Sequence, residues 1–316
     1  MSLKADRLEF HISYECGNNC VFCSEANRLK RFRGKNPSVR EIAGILRDKR
    51  AEGVNYVAFT GGEPSLLKDL PVILRLASAL GYKTSLTTNG RAFADPRYSA
   101  KNLPALDEVI LSVHGAGSLT HDSLTRTPGS FLRTAAALRN INALAGKRLF
   151  LITNTLAVKD NFRELPRILN WLGGLGAVKQ MMVSYPAPEG RAASGYAGLA
   201  VDLREFAAMV PKLVAVAARH KKILKFFGVP ACALGPFAGH SNDLHWSPRI
   251  TVERGGPLGA AGFREVLSTA PVRKRHYGAA CLGCGLVGIC GGVFSGQRGL
   301  SSLKAPDGRS QLRGGL

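Results

Sequence analysis

Long apolar runs are missing from this 316-residue sequence: stretches such as Leu213 to Ala218 and Leu149 to Ile152 fall far short of the roughly 20 residues a bilayer span needs. A transmembrane helix is excluded. Acidic residues are also scarce, with 22 Asp plus Glu against 43 Lys plus Arg and a formal net charge of +21. Such a field suits an acidic partner, whether RNA, a phosphorylated metabolite or an acidic peptide. It is densest between Arg28 and Arg50, with more at Arg219 to Lys225 and Arg273 to Arg275. No RNA-binding module or aromatic-interleaved stacking motif accompanies it, so nucleic acid is not the favoured partner. The first residues, Met1 to Arg7, lack the basic, apolar and small-residue order of a signal peptide, and the expected location is the cytoplasm. Apolar residues make up 45% and charged residues 21%, which excludes wholesale disorder.

Cysteine is present in an odd number, seven, and six of the seven are clustered. Cys16, Cys20 and Cys23 sit in CGNNCVFC, Cys281, Cys284 and Cys290 in CLGCGLVGIC, and Cys232 stands alone. In a reducing compartment such clusters argue for metal or catalysis rather than disulfides. Thiolates suit both zinc and iron-sulfur clusters. Structural zinc wants four closed ligands, and the first triplet has no fourth Cys or His on its loop, since His11 lies in the preceding strand. A cubane held by three cysteines instead keeps one iron open to substrate or cofactor.

The rest of the chain alternates. Strands are expected at Leu8 to Tyr14, Tyr56 to Thr60, Thr84 to Thr88, Glu108 to Val113, Leu149 to Asn154 and Gln180 to Ser184. Helices are expected from the capping box Ser38/Glu41 to Arg50, at Leu66 to Leu80, Ser130 to Leu144, Phe162 to Leu175 and Leu203 to Lys222. This pattern predicts an α/β fold, a partial (βα)6 barrel of parallel strands over residues 1–222. From Lys225 onward Gly, Pro and Ser thicken and the periodicity fades. Residues 223–294 are read as a small cysteine-rich extension and 295–316 as a mobile tail.

Strand ends on such a barrel gather the chemistry, and the polar and glycine-rich residues fall there: the first cysteine triplet, Gly61-Gly62-Glu63-Pro64, Thr87-Thr88-Asn89-Gly90, Ser112 with His114, Asn154, and Tyr185-Pro186. The C-x3-C-x2-C spacing of CGNNCVFC together with TGGEP at 60 to 64 resembles the radical S-adenosylmethionine enzymes. The segment SVHGAGSLTHDSLTRTPGSF at 112 to 131 is similar to the branch with extra C-terminal clusters. That resemblance implies a [4Fe-4S] cluster on Cys16, Cys20 and Cys23, with the amine and carboxylate of S-adenosylmethionine on the fourth iron. It also implies close approach of Gly61 and Gly62 to the cofactor, an acceptor at Glu63 beside Pro64, and contacts from Ser112, Asn154 and the backbone near Val183. The implied chemistry is one-electron cleavage to a 5′-deoxyadenosyl radical that abstracts a substrate hydrogen, fed by an electron donor such as flavodoxin or ferredoxin. Where many relatives carry Asp after the fourth strand this chain has His114.

The C-x2-C-x5-C spacing of Cys281, Cys284 and Cys290 resembles part of the SPASM or twitch extensions, although Phe294 stands where a further cysteine would be expected. With Cys232 there are four thiolates, enough for one auxiliary [4Fe-4S] cluster and not two; a zinc knot is the bland alternative. His240, Asp243, His245 and Trp246 form a polar, aromatic patch suited to substrate contact or an ordinary loop, and His114, His121 and Asp122 to acid-base work or to capping. The expected reaction is on a peptide or protein side chain. The alternatives are a small metabolite, namely a sugar, nucleotide or cofactor precursor, and, from another class, a noncatalytic iron-sulfur or zinc protein that binds RNA.

Overall fold

The structure, a computed structural model, describes residues 5–255, 262–270 and 275–303 of the chain. Arg273 and Lys274 of the last basic cluster, and residues 304–316 of the expected tail, lie outside the described residues.

One nine-stranded sheet dominates. In chain order its strands are β1 (Arg7–Ser13), β2 (Tyr56–Gly61), β3 (Lys83–Thr88), β4 (Glu108–Ser112), β5 (Phe150–Leu156), β6 (Val178–Ser184), β7 (Ile223–Phe227), β8 (Arg249–Arg254) and β9 (Phe263–Ser268). The helices are α1 (Ala26–Arg31), α2 (Val39–Ala51), α3 (Leu70–Ala79), α4 (Pro96–Asn102), α5 (Ser118–Thr125), α6 (Ser130–Leu144), α7 (Lys159–Phe162), α8 (Leu165–Gly173), α9 (Tyr196–Leu199), α10 (Leu203–Arg219) and α11 (Ala231–Leu234). Strands β1 to β7 pair in sequence order and in parallel, as βαβ crossovers require. β8 adds in parallel to the free edge of β1, and β9 pairs antiparallel with β8.

Alternation along each strand explains the two faces. In β1, Leu8, Phe10 and Ile12 are fully buried in the core, while Arg7, Glu9 and His11 line the lumen. In β6, Met181 and Val183 face the core, with Gln180, Met182 and Ser184 inward. Each fully buried Phe or Leu contributes about 2–3 kcal/mol, so a one-residue slip would invert the faces and forfeit that term at every position. Helix α2 begins where the sequence places it: Ser38 Oγ accepts from Glu41 N at 3.2 Å, and Ser38 N donates to a Glu41 carboxylate oxygen at 2.8 Å.

The structure enlarges the six-strand expectation in two ways. β7 directly follows α10 and continues the parallel series, and β8 and β9 return to the opposite edge, so the region beyond residue 222 supplies three strands of the main sheet. Their apolar content is modest: Arg249, Glu253 and Arg254 are charged, which hides the strand from a pattern reading. Residues 295–303, expected to belong to a mobile tail, are tied down, since Leu203 N donates to Arg298 O at 3.0 Å and Leu300 and Leu303 pack against the core. The short helices α1, α4 and α5 were also unforeseen.

Candidate functional site

A cavity of about 1310 Å³ fills the lumen, its lining running from the N-terminal to the C-terminal ends of the strands. Cys16, Cys20, Cys23, Gly61, Gly62 and Glu63 line it at that end. Burial pushes the Cys16 and Cys20 thiols up to about 11 and about 12, with charge on neighbouring thiols adding to the rise. Cys23 shifts the same way for the same first reason. Three mutually sensed, half-buried thiols are costly to ionise unless a cation pairs with them.

The cysteine loop is held from three sides. Val21 N and Asn19 N donate to Leu124 O and Thr125 O at the end of α5, both at 2.9 Å. Arg91 Nη1 donates to Gly17 O at 2.6 Å. Arg191 Nη1 donates to Cys20 O, and Arg191 N to Cys23 O at 2.9 Å. Asn18 N and Asn89 Nδ2 point at Cys16 Sγ, at 3.4 and 3.9 Å, the kind of N–H to sulfur contact that tunes an iron-sulfur centre. Arg91 and Arg191 were missed by sequence reasoning; Arg91 was within reach of it, following directly on the Asn89-Gly90 turn.

The glycines act on the protein itself. Gly62 N donates to Ser13 O and Glu63 N to Glu15 O, both at 2.7 Å, so the turn after β2 lies flat against the start of the cysteine loop. A Cβ on Gly61 or Gly62 would stand 2.3 Å from Ser13 O or Glu15 O, and Gly61 also has φ of +120°, which disfavours a side chain. Glu63 is buried and clips β2 to the end of β3: one oxygen accepts from Ser65 N at 3.1 Å and Thr88 Oγ1 at 2.7 Å, the other from Asn89 N at 2.7 Å. A carboxylate offers about four acceptor positions, so one remains for a donor in the cavity. Burial raises the Glu63 pKa against those bonds, and an ammonium group would relieve that penalty. Pro64 opens a short 3-10 turn, Pro64–Leu66, and is buried behind it.

Across the lumen, Ser112 and Asn154 are ladder partners and both line the cavity, with Asn154 Oδ1 accepting from Ser184 Oγ at 2.7 Å. Val183 turns its side chain into the core, and its neighbours Met182 and Ser184 face the cavity instead. His114 and His121 are buried and kept neutral, their pKa pushed down by burial to about 3 and about 4. His114 Nδ1 accepts from Leu156 N at 3.3 Å, so its proton sits on Nε2. Asp122 caps α6, accepting from Gly129 N, Phe131 N and Ser130 Oγ. Asp243 pairs in the interior with Arg275 at 2.8 Å and His240 bonds Leu224 O, while His245 and Trp246 line the cavity.

The wall formed by β1, α1 and β8 is charged. His11 lies 3.3 Å from both Glu9 and Glu25; burial works against its charged form, but the two carboxylates prevail and raise it to about 9. Arg28 bridges Glu25 at 2.5 Å and Glu253 at 2.7 Å.

Cys232, Cys281, Cys284 and Cys290 converge on a second, separate pocket of only about 30 Å³, closed by Leu286, Val293 and other apolar groups. Burial, then charge on Cys290 and Cys281, pushes Cys232 up to about 11. Among the described residues no three Cys, His, Asp or Glu side chains close tightly enough round a point to hold a single ion.

The family model for the radical SAM superfamily matches residues 10–172, a little over half of the chain. The chain belongs to the radical SAM superfamily. Streptococcus suis SuiB bound to S-adenosylmethionine is similar in fold, with a TM-score of 0.64 at 17% identity over 98% of this chain and 78% of that one. SuiB bound to its precursor peptide SuiA gives 0.55 at 19% identity, over 71% and 49%. Native anSMEcpe with bound AdoMet gives 0.55 at 14% identity, over 70% and 63%. Among curated proteins, a "Probable GTP 3′,8-cyclase" of Saccharolobus islandicus (strain M.14.25 / Kamchatka #1) is 33% identical over 121 residues, which is 37% of this chain and 38% of that protein. The chain thus aligns with well under half the length of the curated relatives it matches. No helix among the described residues is long and apolar enough to cross a membrane.

Proposed function

We propose that the chain is an S-adenosylmethionine-dependent radical enzyme acting in the cytoplasm. Cys16, Cys20 and Cys23 would hold a [4Fe-4S] cluster, and the residues around Gly62 and Glu63 the methionyl end of S-adenosylmethionine. When bound, these groups supply one-electron cleavage of a carbon-sulfur bond and removal of a hydrogen atom from the substrate. The chain's own part is to seat and shield them. Arg91 and Arg191 fix the cysteine loop, Glu63 presents its remaining acceptor, and Ser112 and Asn154 offer hydroxyl and amide partners across the lumen. The observation that carries the reading is the meeting, at one cavity rim, of three thiols without a fourth ligand on their loop and a buried carboxylate with an unused acceptor.

The substrate we favour is a peptide or protein side chain, because the solved structures similar in fold include SuiB bound to a precursor peptide and the cavity is large enough for an extended segment. A small metabolite is the second reading, favoured by the match to the probable GTP 3′,8-cyclase. In the second pocket the four converging thiols suit one auxiliary [4Fe-4S] cluster. The electron donor would be a flavodoxin or ferredoxin. Anaerobically reconstituted protein should contain about eight irons per chain and form 5′-deoxyadenosine with a strong reductant. Iron without cleavage would overturn the reading, as would zinc alone.

A further inference from the structure

We propose that the end of the lumen remote from the cysteine loop is a receptor for an anionic oxygen group on the substrate, a phosphate or a carboxylate, built from Arg7 and Arg249. This rests on the radical reading only in calling the cavity's occupant a substrate. The two arginines are direct partners in the β1–β8 ladder, so their side chains leave the sheet on the same face, and both line the cavity. Each guanidinium lies on an aromatic ring, Arg7 at 3.8 Å from the centroid of Tyr56 and Arg249 at 3.6 Å from that of Trp246. Stacking fixes the planes and leaves the N–H edges available.

Those edges are short of acceptors. The Nε atoms of both arginines are buried without a hydrogen-bond partner, an arrangement that is costly until an acceptor arrives. Among the described residues Arg7 makes no ion pair, and Arg249 has one long contact, to Glu9 at 3.6 Å. Glu9 is shared with His11, itself held protonated by Glu9 and Glu25. The other carboxylate on this floor, Glu108, accepts from Tyr56 Oη at 2.5 Å and Ser85 Oγ at 2.8 Å through one oxygen. With Glu9 shared with His11 and Glu108 engaged by Tyr56 and Ser85, neither guanidinium has a close carboxylate of its own, and paired guanidiniums suit the geometry of phosphate and carboxylate oxygens.

Position adds a size class. Arg7 lies six residues before Ser13 at the loop end of β1, roughly 20 Å at about 3.3 Å per residue. A substrate whose reacting carbon sits under the cysteine loop would therefore be elongated, with its anionic group at the opposite tip.

The chain has two tryptophans, and Trp246 is the one beneath Arg249. In full-length, cluster-reconstituted Trp171→Phe protein without S-adenosylmethionine, we expect inorganic pyrophosphate or glutarate to change Trp246 emission saturably, with calorimetry giving the same affinity. Pyrophosphate alone would assign a phosphate, glutarate alone a carboxylate. Arg7→Gln and Arg249→Gln should weaken the effective probe at least tenfold. Arg97→Gln, an equal charge change on exposed α4, should not. Should the Gln variants fail to fold, Arg7→Lys and Arg249→Lys carry the test, with binding several-fold weaker because an ammonium lacks the planar fork. The proposal is overturned if neither probe saturates, or if binding is the same in the variants and the Arg97 control. No turnover is involved, so a negative result leaves the radical reading standing, and absence of S-adenosylmethionine cleavage leaves the anion site standing.

Discussion

The two cysteine groups share an element and little else. Cys16, Cys20 and Cys23 lie on one continuous loop, pinned by backbone and arginine hydrogen bonds, and they face a cavity of about 1310 Å³. Cys281, Cys284 and Cys290 lie on successive tight turns, with Cys284 N donating to Cys281 O and Cys290 N to Leu286 O, and they are joined by Cys232 from about fifty residues earlier. Their pocket is about 30 Å³ and largely apolar. The first arrangement leaves room for something beyond the thiols to bind; the second offers only a small pocket lined mainly by apolar side chains, on turns that are themselves largely exposed. The open and closed coordination proposed for the two groups, the difference between a reacting centre and a structural or relay centre, is thus matched by the room around each as well as by three thiols against four.

The largest expected effect would break this comparison outright. Replacing Cys16, Cys20 and Cys23 by Ala should reduce 5′-deoxyadenosine formation to background and halve the iron content. Replacing Cys281, Cys284 and Cys290 should remove as much iron while cleavage of S-adenosylmethionine survives. Equal loss of cleavage in both variants would erase the distinction between the groups.

Next comes the backbone under the open group. Gly62→Ala puts a methyl 2.3 Å from Glu15 O, and overpacking of this kind costs about 1–3 kcal/mol. The measurable outcome is a lower denaturant midpoint together with selective loss of iron from the first group; an unshifted midpoint would mean the loop and the turn after β2 move freely past each other.

A third test uses pH. His11, at about 9 in the folded chain against 6.5 unfolded, adds stability that is complete below about pH 6.5 and is lost as pH rises through 9. Glu25, lowered to about 2 because His11 and Arg28 outweigh its burial, adds stability that is complete above about pH 4.5 and is lost as pH falls toward 2. Unfolding followed from pH 6 to 10 should show a decline on the order of 3 kcal/mol that His11→Gln removes. An identical slope in that variant would contradict the ion-pair assignment.

The smallest effect is Arg191→Ala. Losing its bond to Cys20 O should cost about 1 kcal/mol and speed chelator removal of iron from the first group, leaving the second group's rate unchanged.

How far these features could be read from sequence follows from their physics. β1, α6 and the capping box at Ser38 show themselves because burial and hydrogen bonding are local, with Leu8, Phe10 and Ile12 alternating and Glu41 three residues past Ser38. The first cysteine loop is legible from spacing, and the structure brings Glu63 to it. The strand β8 is not legible, because several of its charged inward residues meet partners more than two hundred positions away, Arg249 beside Glu9 and Arg7 and Glu253 beside Arg28. The same holds for Glu63, whose acidity suggests a ligand contact while most of its acceptor capacity is spent on Ser65, Thr88 and Asn89. Long-range pairing is invisible to a reading that works along the chain.

The edge of β1 that β8 covers has a bearing on the order in which the molecule comes into being. The segment carrying Cys16 precedes the strand beside it, and Arg254, whose amide reaches Tyr14 Oη, by more than two hundred residues. Until β8 has been made, the edge of β1 beside that loop lacks its partner strand, so this part of the sheet closes through contacts of high sequence separation, the slow kind.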